Sequence, residues 1–235
     1  MITSFILAGC VNKSQYRVES ITPRESFVKM LAVVEARVCT EEVEKAASMC
    51  QSHKMRAFAS GVIISRNENG SKILTAGHVC DTSDLTSGAP DLPNTKVTFD
   101  IKILASPENG EMFETEIIRI DTSIDSCLLH AKSMKRWKPI RIRKNPVKHG
   151  EILYNIASPL GVATPEMVPI LSGHYSGDVS FTRSAYTIPA APGSSGSPIF
   201  DRRGHLVGMI HSVYIRFPFL SFGPTQERLL DFLDH

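Results

Sequence analysis

The sequence predicts an all-β protein, and three observations carry this prediction. Short stretches of alternating or β-branched apolar residues recur along the chain, and turn-forming residues separate them. The length of 235 residues suits one large all-β domain or two small barrels that share a core. The alternating helices and strands that an α/β fold requires are absent from the pattern.

Bulk composition excludes several function classes. The formal net charge is only +2 and no long basic run is present, so the sequence does not predict a nucleic-acid partner. No apolar run approaches the roughly 18 residues of a membrane-spanning helix. The five cysteines form no C-x-x-C pair, and H-E-x-x-H is missing, which argues against a zinc site. We therefore expect neither a metal nor a cofactor.

Residues 1–21 could form a signal and a tether. The run Phe5–Cys10 is apolar and ends in Leu-Ala-Gly-Cys, which resembles a bacterial lipoprotein signal with Cys10 as the lipidated residue. However, no Lys or Arg precedes this run, and it is shorter than a usual signal, so a frayed N-terminus is the alternative. A signal would place the protein in the cell envelope or another extracytoplasmic compartment, with the polar residues 11–21 as a tether. Contact with a membrane would then occur only through the lipid.

The elements that follow predict a β-barrel. Thr22 and Pro23 predict a short helix, which turns into a strand near Ala32. The residues between Cys39 and Cys50 are charged and favour a helix. Further strands follow, and their spacing indicates a closed β-barrel; they are Phe58–Ser65, Lys96–Phe99, Ile101–Leu104 and Phe113–Ile120.

Three motifs carry the chemistry. An apolar strand runs into Thr75-Ala76-Gly77-His78, and Asp125 opens a second apolar stretch that ends in Leu128-Leu129. The third motif is Ala190–Pro198, in which seven of nine residues are small. A glycine-flanked serine on a tight turn can expose its hydroxyl and aim backbone N–H groups at one point, although such clusters more often form plain hairpin loops.

In this order, the three motifs resemble the trypsin/chymotrypsin clan of serine proteases. The nearest match is the bacterial branch of high-temperature-requirement proteases and glutamyl endopeptidases, over roughly residues 28–233. The resemblance implies a domain over 22–235 with two six-stranded antiparallel β-barrels and a short C-terminal helix. The barrels are expected at about 28–131 and 150–222 and the helix at 225–233, with no PDZ-like segment after them.

The resemblance also assigns roles to residues. Ser195 would be the nucleophile, His78 the general base and acid, and Asp125 the residue that orients the imidazole. The backbone N–H groups of Gly193 and Ser195 would form the oxyanion hole. Asp121 competes with Asp125, and we favour Asp125 because Leu128-Leu129 follows it in the register of the family.

The substrate pocket is expected near Ala190, His211, Ser212 and Val213. Pro189 lies where trypsin-like enzymes hold the Asp that binds Arg or Lys, so we expect a small or apolar preference. Two roles remain open for His211. It could bind an acidic substrate side chain, or it could contact Asp125, because it falls one position later than the substrate-binding histidine of glutamyl endopeptidases.

Four cysteines remain if Cys10 is lipidated, and they allow three pairings. Cys39 with Cys50 would close a short loop. Cys80 and Cys127 each follow a proposed catalytic residue by two positions, so the triad would bring them together. The alternative is that Cys127 is a small buried apolar residue. Disulfides would agree with an oxidising compartment.

The sequence therefore predicts a serine endopeptidase that acts on proteins or peptides through an acyl-enzyme intermediate. The main alternative is a catalytically silent, protease-like binding module. An α/β-hydrolase esterase is a third hypothesis, but it requires Gly-x-Ser-x-Gly, and Ser197 replaces the last glycine.

Overall fold

A computed structural model of the chain describes residues 22–42, 47–83 and 94–234. Residues 1–21, and with them the predicted signal and Cys10, lie outside the described residues. The described part contains fifteen strands, which are β1 (Phe27–Glu42), β2 (Ala47–Asn67), β3 (Gly70–Ala76), β4 (Thr95–Ser106), β5 (Phe113–Glu114), β6 (Glu116–Asp121), β7 (Ser126–Ala131), β8 (Arg141–Ile142), β9 (Ile152–Ile156), β10 (Ile170–Asp178), β11 (Arg183–Tyr186), β12 (Ser197–Phe200), β13 (His205–Ile210), β14 (Ser212–Val213) and β15 (Ser221–Pro224). Helix α1 (Gln226–Asp234) closes the chain.

The strands form two sheets. The first has the order β5-β4-β1-β2-β3-β7-β6, and the second has the order β14-β15-β11-β10-β9-β12-β13-β8. Apart from the parallel pair β8–β13, the recorded neighbours are antiparallel. Without the two-residue strands β5, β8 and β14, each sheet has six strands. The predicted all-β class is thus confirmed.

The short helix predicted after Thr22 and Pro23 is present as a 3-10 helix over Arg24–Ser26, but β1 begins at Phe27, earlier than the expected start near Ala32. The helix expected between Cys39 and Cys50 is wrong for the described residues of that segment. Residues 40–42 and 47–49 continue β1 and β2, and Cys39 and Cys50 are register partners, whereas residues 43–46 lie outside the described residues. Cross-strand pairing along both strands therefore overrides the helical preference of the charged residues.

One hydrophobic core joins the two sheets. Side chains of the first sheet, such as Leu74 and Leu129, share a cluster with Phe200 and Met209 of the second sheet. Helix α1 packs on the same cluster through the buried Phe232. This shared packing fixes the position of the loops that meet where the sheets touch.

No helix in the described ranges has the length and apolar character that crossing a membrane requires.

Candidate active site

His78 lies at the point where a buried strand ends. Strand β3 is almost fully buried, and it runs directly into a 3-10 turn over Gly77–Val79. This turn is closed by a hydrogen bond from the Cys80 amide to the Gly77 carbonyl at 2.9 Å. The His78 side chain is 47% exposed, so a rigid strand presents its imidazole to solvent.

Asp125 lies beside His78 in the turn before β7. The carboxylate accepts two hydrogen bonds from His78, one from the amide to Oδ1 at 2.8 Å and one involving ring Nδ1 and Oδ2 at 2.9 Å. Strand pairing explains this proximity, because Ala76 of β3 is the register partner of Ser126 of β7. The structure thus brings two of the three predicted catalytic residues together.

The approach of Asp125 depends on backbone geometry. Asp125 has a φ of +49°, in the left-handed region that non-glycine residues adopt rarely. A Cβ on Gly77 would lie 2.9 Å from Asp125 Oδ1, so only glycine admits the carboxylate at this distance. In contrast, Asp121 accepts hydrogen bonds from the amide and hydroxyl of Ser123, which makes it a turn residue.

The electrostatics of Asp125 favour its charged form. Burial raises the pKa of the carboxyl, but the hydrogen bonds from the ring and the amide of His78 outweigh this effect and hold the pKa below its ordinary value. His211 Nδ1 is a second neighbour, 3.5 Å from Asp125 Oδ2. Burial lowers the pKa of His211 despite the nearby Asp125, which favours the neutral ring. Of its two expected roles, His211 thus has the geometry for contact with Asp125.

Both predicted disulfides are present. Cys80 and Cys127 are bonded and link the segment of His78 to the segment of Asp125. Cys39 and Cys50 are bonded near the far ends of β1 and β2. The first bridge therefore constrains the candidate site, whereas the second lies away from it.

The serine loop is held by backbone hydrogen bonds on both sides. Ser60 of β2 donates its amide to the Ser195 carbonyl at 2.7 Å, and the Gly196 amide donates to the Ile210 carbonyl at 2.7 Å. A Cβ on Gly196 would lie 2.3 Å from Thr75 Oγ1 and 3.0 Å from the Ala76 amide. The loop thus packs against the end of β3, two residues before His78.

Two amides of this loop have no partner within the described part of the chain. Neither the Gly193 nor the Ser195 N–H donates a hydrogen bond to a described residue. The Ser195 hydroxyl likewise makes no hydrogen bond within the described residues, to the His78 ring or elsewhere. Such contacts are often long in substrate-free enzymes and tighten when substrate binds.

Ser60 is a site residue that the sequence did not reveal. Its buried hydroxyl donates to the Gly193 carbonyl at 2.8 Å and accepts from the Ser158 amide at 2.9 Å. Ser60 thereby ties the serine loop of the second sheet to the first sheet. The sequence signal that could have revealed Ser60 is a serine inside an apolar strand, because a buried hydroxyl needs hydrogen-bond partners.

Two of the predicted pocket residues, Ala190 and Val213, pack in the same apolar cluster of the second sheet. Ala190 is buried, and its amide donates to the Pro218 carbonyl at 3.0 Å. Ser212 and Val213 form β14, which pairs with β15. The loop between these strands exposes several large apolar side chains, namely Tyr214, Ile215, Phe217 and Phe219.

Metal binding has no support in the described ranges, which contain no group of three His, Cys, Asp or Glu residues placed to hold an ion.

Comparison with known proteins identifies the family. A family model described as a trypsin-like peptidase domain matches residues 59–209, more than half of the chain. A protein of Halomonas elongata described as a probable periplasmic serine endoprotease, DegP-like, is 24% identical over 189 residues, which are 78% of this chain and 36% of that protein. The chain thus spans about a third of that relative's length.

A solved structure supports the fold. The crystal structure of the serine endoprotease from Yersinia pestis matches with a TM-score of 0.59 and 17% identity, over 85% of this chain and 61% of that one. This likeness agrees with the two sheets described above and with a trypsin-like double barrel. Together with the match over residues 59–209, it confirms the resemblance predicted from the three motifs: the chain belongs to the trypsin-like peptidase domain family.

Proposed function

We propose that the protein is a serine endopeptidase that hydrolyses peptide bonds through Ser195, His78 and Asp125. One observation carries this proposal. A hydrogen-bonded His78–Asp125 pair lies next to a rigid loop that carries Ser195 and two amides without partners among the described residues. Nucleophile, base, orienting carboxylate and oxyanion donors are the parts that acyl transfer requires.

The proposed mechanism begins with the tautomer of His78. A proton on Nδ1 donates to Asp125 Oδ2, which leaves Nε2 as the acceptor. Ser195 Oγ attacks the scissile carbonyl carbon while Nε2 takes the hydroxyl proton. Collapse of the tetrahedral intermediate breaks the C–N bond, and His78 delivers the proton to the leaving amine. Water then repeats the sequence on the acyl-enzyme and releases the acid.

The proposed oxyanion hole uses the two backbone amides at Gly193 and Ser195. Negative charge develops on the carbonyl oxygen during attack, and amides held in place stabilise that charge without reorganisation. Loss of one such donor typically costs about 3 kcal/mol of transition-state stabilisation. Ser60 supports this geometry because its hydroxyl binds the Gly193 carbonyl.

The proposed substrate is a protein or peptide with a small or apolar side chain at the cleavage site. Ala190 and Val213 offer no charge to a substrate, and Pro189 replaces the acidic residue that would bind Arg or Lys. His211 faces Asp125 and favours the neutral form, so we assign it to positioning of Asp125 rather than to an acidic substrate.

We also propose that the protein has an extracytoplasmic location. Two disulfides favour an oxidising compartment, and the Halomonas elongata relative is described as periplasmic. Lipid attachment at Cys10 stays a prediction, because that residue lies outside the described ranges.

A fluorophosphonate probe tests the nucleophile directly. Folded protein should be labelled at Ser195, and Ser195→Ala should abolish labelling, because the probe reacts only with an activated hydroxyl. Ser172→Ala, which removes an exposed serine on β10, is the matched control and should label like the wild type. If the folded wild type is not labelled, the protein is instead a catalytically silent, protease-like binding module.

Cleavage of a peptide library by the purified protein tests the substrate preference. We expect cuts after small or apolar residues, and none with Ser195→Ala. Cuts confined to Lys and Arg, or to Asp and Glu, would contradict the proposed pocket while leaving the nucleophile intact.

A further inference from the structure

A polar cleft lies on the second sheet, and we call it the basic cleft. It is lined by residues 142–145 and 148–152, in and beside the loop between β8 and β9, and by residues 201–203 and 205 at the turn between β12 and β13. Its volume of about 890 Å³ is in the range of ligand-binding clefts. None of these residues belongs to the proposed triad, oxyanion hole or substrate pocket.

Positive charge dominates the lining of the basic cleft. Five Lys or Arg residues line it against only two carboxylates; the basic residues are Arg143, Lys144, Lys148, Arg202 and Arg203, and the acidic ones are Glu151 and Asp201. Charges of one sign that converge on a concave surface reinforce one another and attract the opposite charge. The composition of the cleft therefore favours an anionic ligand.

Both carboxylates of the basic cleft are already engaged within the protein. Arg143, whose side chain is only 16% exposed, donates two hydrogen bonds to Glu151, at 2.5 and 3.1 Å. The same guanidinium lies 3.5 Å from Asp201, which also accepts hydrogen bonds from the amides of Arg203 and His205. Neither carboxylate is thus left to neutralise the outer cations.

The four outer cations are available to a ligand. Lys144, Lys148, Arg202 and Arg203 are all exposed, and none forms an ion pair with a residue in ranges 22–42, 47–83 or 94–234. Two charged segments lie at a fixed separation, because the Arg143 contacts join the loop after β8 to the turn before β13. The basic cleft therefore presents positive charge from a rigid frame.

The basic cleft and the candidate active site lie at opposite ends of one hairpin. Strand β12 begins two residues after Ser195 and ends next to Asp201, and β13 returns from His205 to Ile210. The Ile210 carbonyl accepts a hydrogen bond from the Gly196 amide at 2.7 Å. Six residues of extended chain separate the two ends by roughly 20 Å. About ten residues of a polypeptide bound at Ser195 therefore suffice to reach the basic cleft.

We propose that the basic cleft binds an acidic segment of the polypeptide that is cleaved at Ser195. This inference rests on the proposed function and adds a substrate class to it, namely proteins with a run of Asp or Glu about ten or more residues from the scissile bond. Several carboxylates on one chain can pair with several of the four cations at once, whereas a neutral segment gains nothing. Binding at both ends raises the effective concentration of the scissile bond at Ser195.

Fluorescence anisotropy with a labelled hexaglutamate peptide tests the binding step without cleavage, on the full chain carrying Ser195→Ala. We expect saturable binding at about 50 mM salt that is largely lost at about 500 mM, because salt screens exposed charges. Adding Arg202→Glu and Arg203→Glu should weaken binding on the order of tenfold or more, because two attractive contacts become repulsive.

The matched control adds Lys72→Glu and Lys135→Glu, which make the same change of charge on exposed residues outside the basic cleft. This control should bind hexaglutamate like the parent protein, and circular dichroism should show that both variants fold. Equal weakening in both variants, or no binding of hexaglutamate by the parent, overturns the proposal. Binding of a phosphate oligomer without binding of hexaglutamate also overturns it.

Cleavage kinetics test the link between the basic cleft and the site. A peptide substrate that carries a hexaglutamate tail on a flexible linker of about fifteen residues should have a KM about tenfold lower than the same peptide with a hexaglutamine tail, with kcat unchanged. A linker of about three residues should give no gain, because it spans at most about 10 Å. An unchanged KM with the long linker contradicts the proposal. The anisotropy arm needs no working triad, so a failure of the endopeptidase assignment is seen separately.

Discussion

Asp125 accepts hydrogen bonds from both the amide and the ring of His78, and both partners are donors. Asp125→Asn presents an amide NH₂ to at least one of them, which favours the wrong tautomer of the imidazole. We expect the rate of fluorophosphonate labelling and the turnover number to fall by about 10⁴-fold. Asp121→Asn changes a turn residue four positions earlier and should retain activity; equal losses in both variants would contradict the assignment.

His211 connects the site to the pH dependence of stability. Its pKa is lowered by burial, near Asp125, His78 and Arg183. The unfolded chain therefore binds a proton at a higher pH than the folded protein, and the free energy of unfolding decreases as the pH falls below about 6.5. His211→Ser should flatten this decrease in chemical denaturation between about pH 6.5 and 5. Identical slopes for wild type and variant would rule out this contribution.

Ser60 holds the serine loop through one buried hydroxyl. Ser60→Ala leaves the Gly193 carbonyl and the Ser158 amide without this partner, at a cost of about 1–3 kcal/mol in stability. We also expect at least a tenfold slower labelling rate, because Gly193 is then less well fixed. The control is Ser71→Ala, which removes a buried hydroxyl that donates to the Met134 carbonyl, far from the loop. It should lose stability but label at the normal rate.

At the scale of elements, the two disulfides should act differently. Replacing Cys80 and Cys127 by alanine opens a loop with a sequence separation of 47 and should cost about 4 kcal/mol, measured by calorimetry. The same change at Cys39 and Cys50 opens a separation of 11 and should cost about 3 kcal/mol. Only the Cys80–Cys127 disulfide lies at the site, so only its loss should also slow fluorophosphonate labelling. The opposite result would contradict this division.

Some elements could be predicted from the sequence and others could not. The strand before His78 and the turn before β7 were predictable, because each combines an apolar run with a polar residue at its end. The outer part of the β1–β2 hairpin was not, because Glu41, Glu42 and Ala47 have a helical local preference, and cross-strand pairing between β1 and β2 makes them strand residues. Ser60 was missed for a similar reason, since its partners lie about 100 or more residues away.

The proposed catalytic groups are divided between the two sheets. His78 and Asp125 border the first sheet, whereas Ser195 lies later in the chain and borders the second. A nascent polypeptide that has folded only its first half therefore carries a base with no nucleophile beside it. The three proposed catalytic groups therefore come together only when the two sheets have docked.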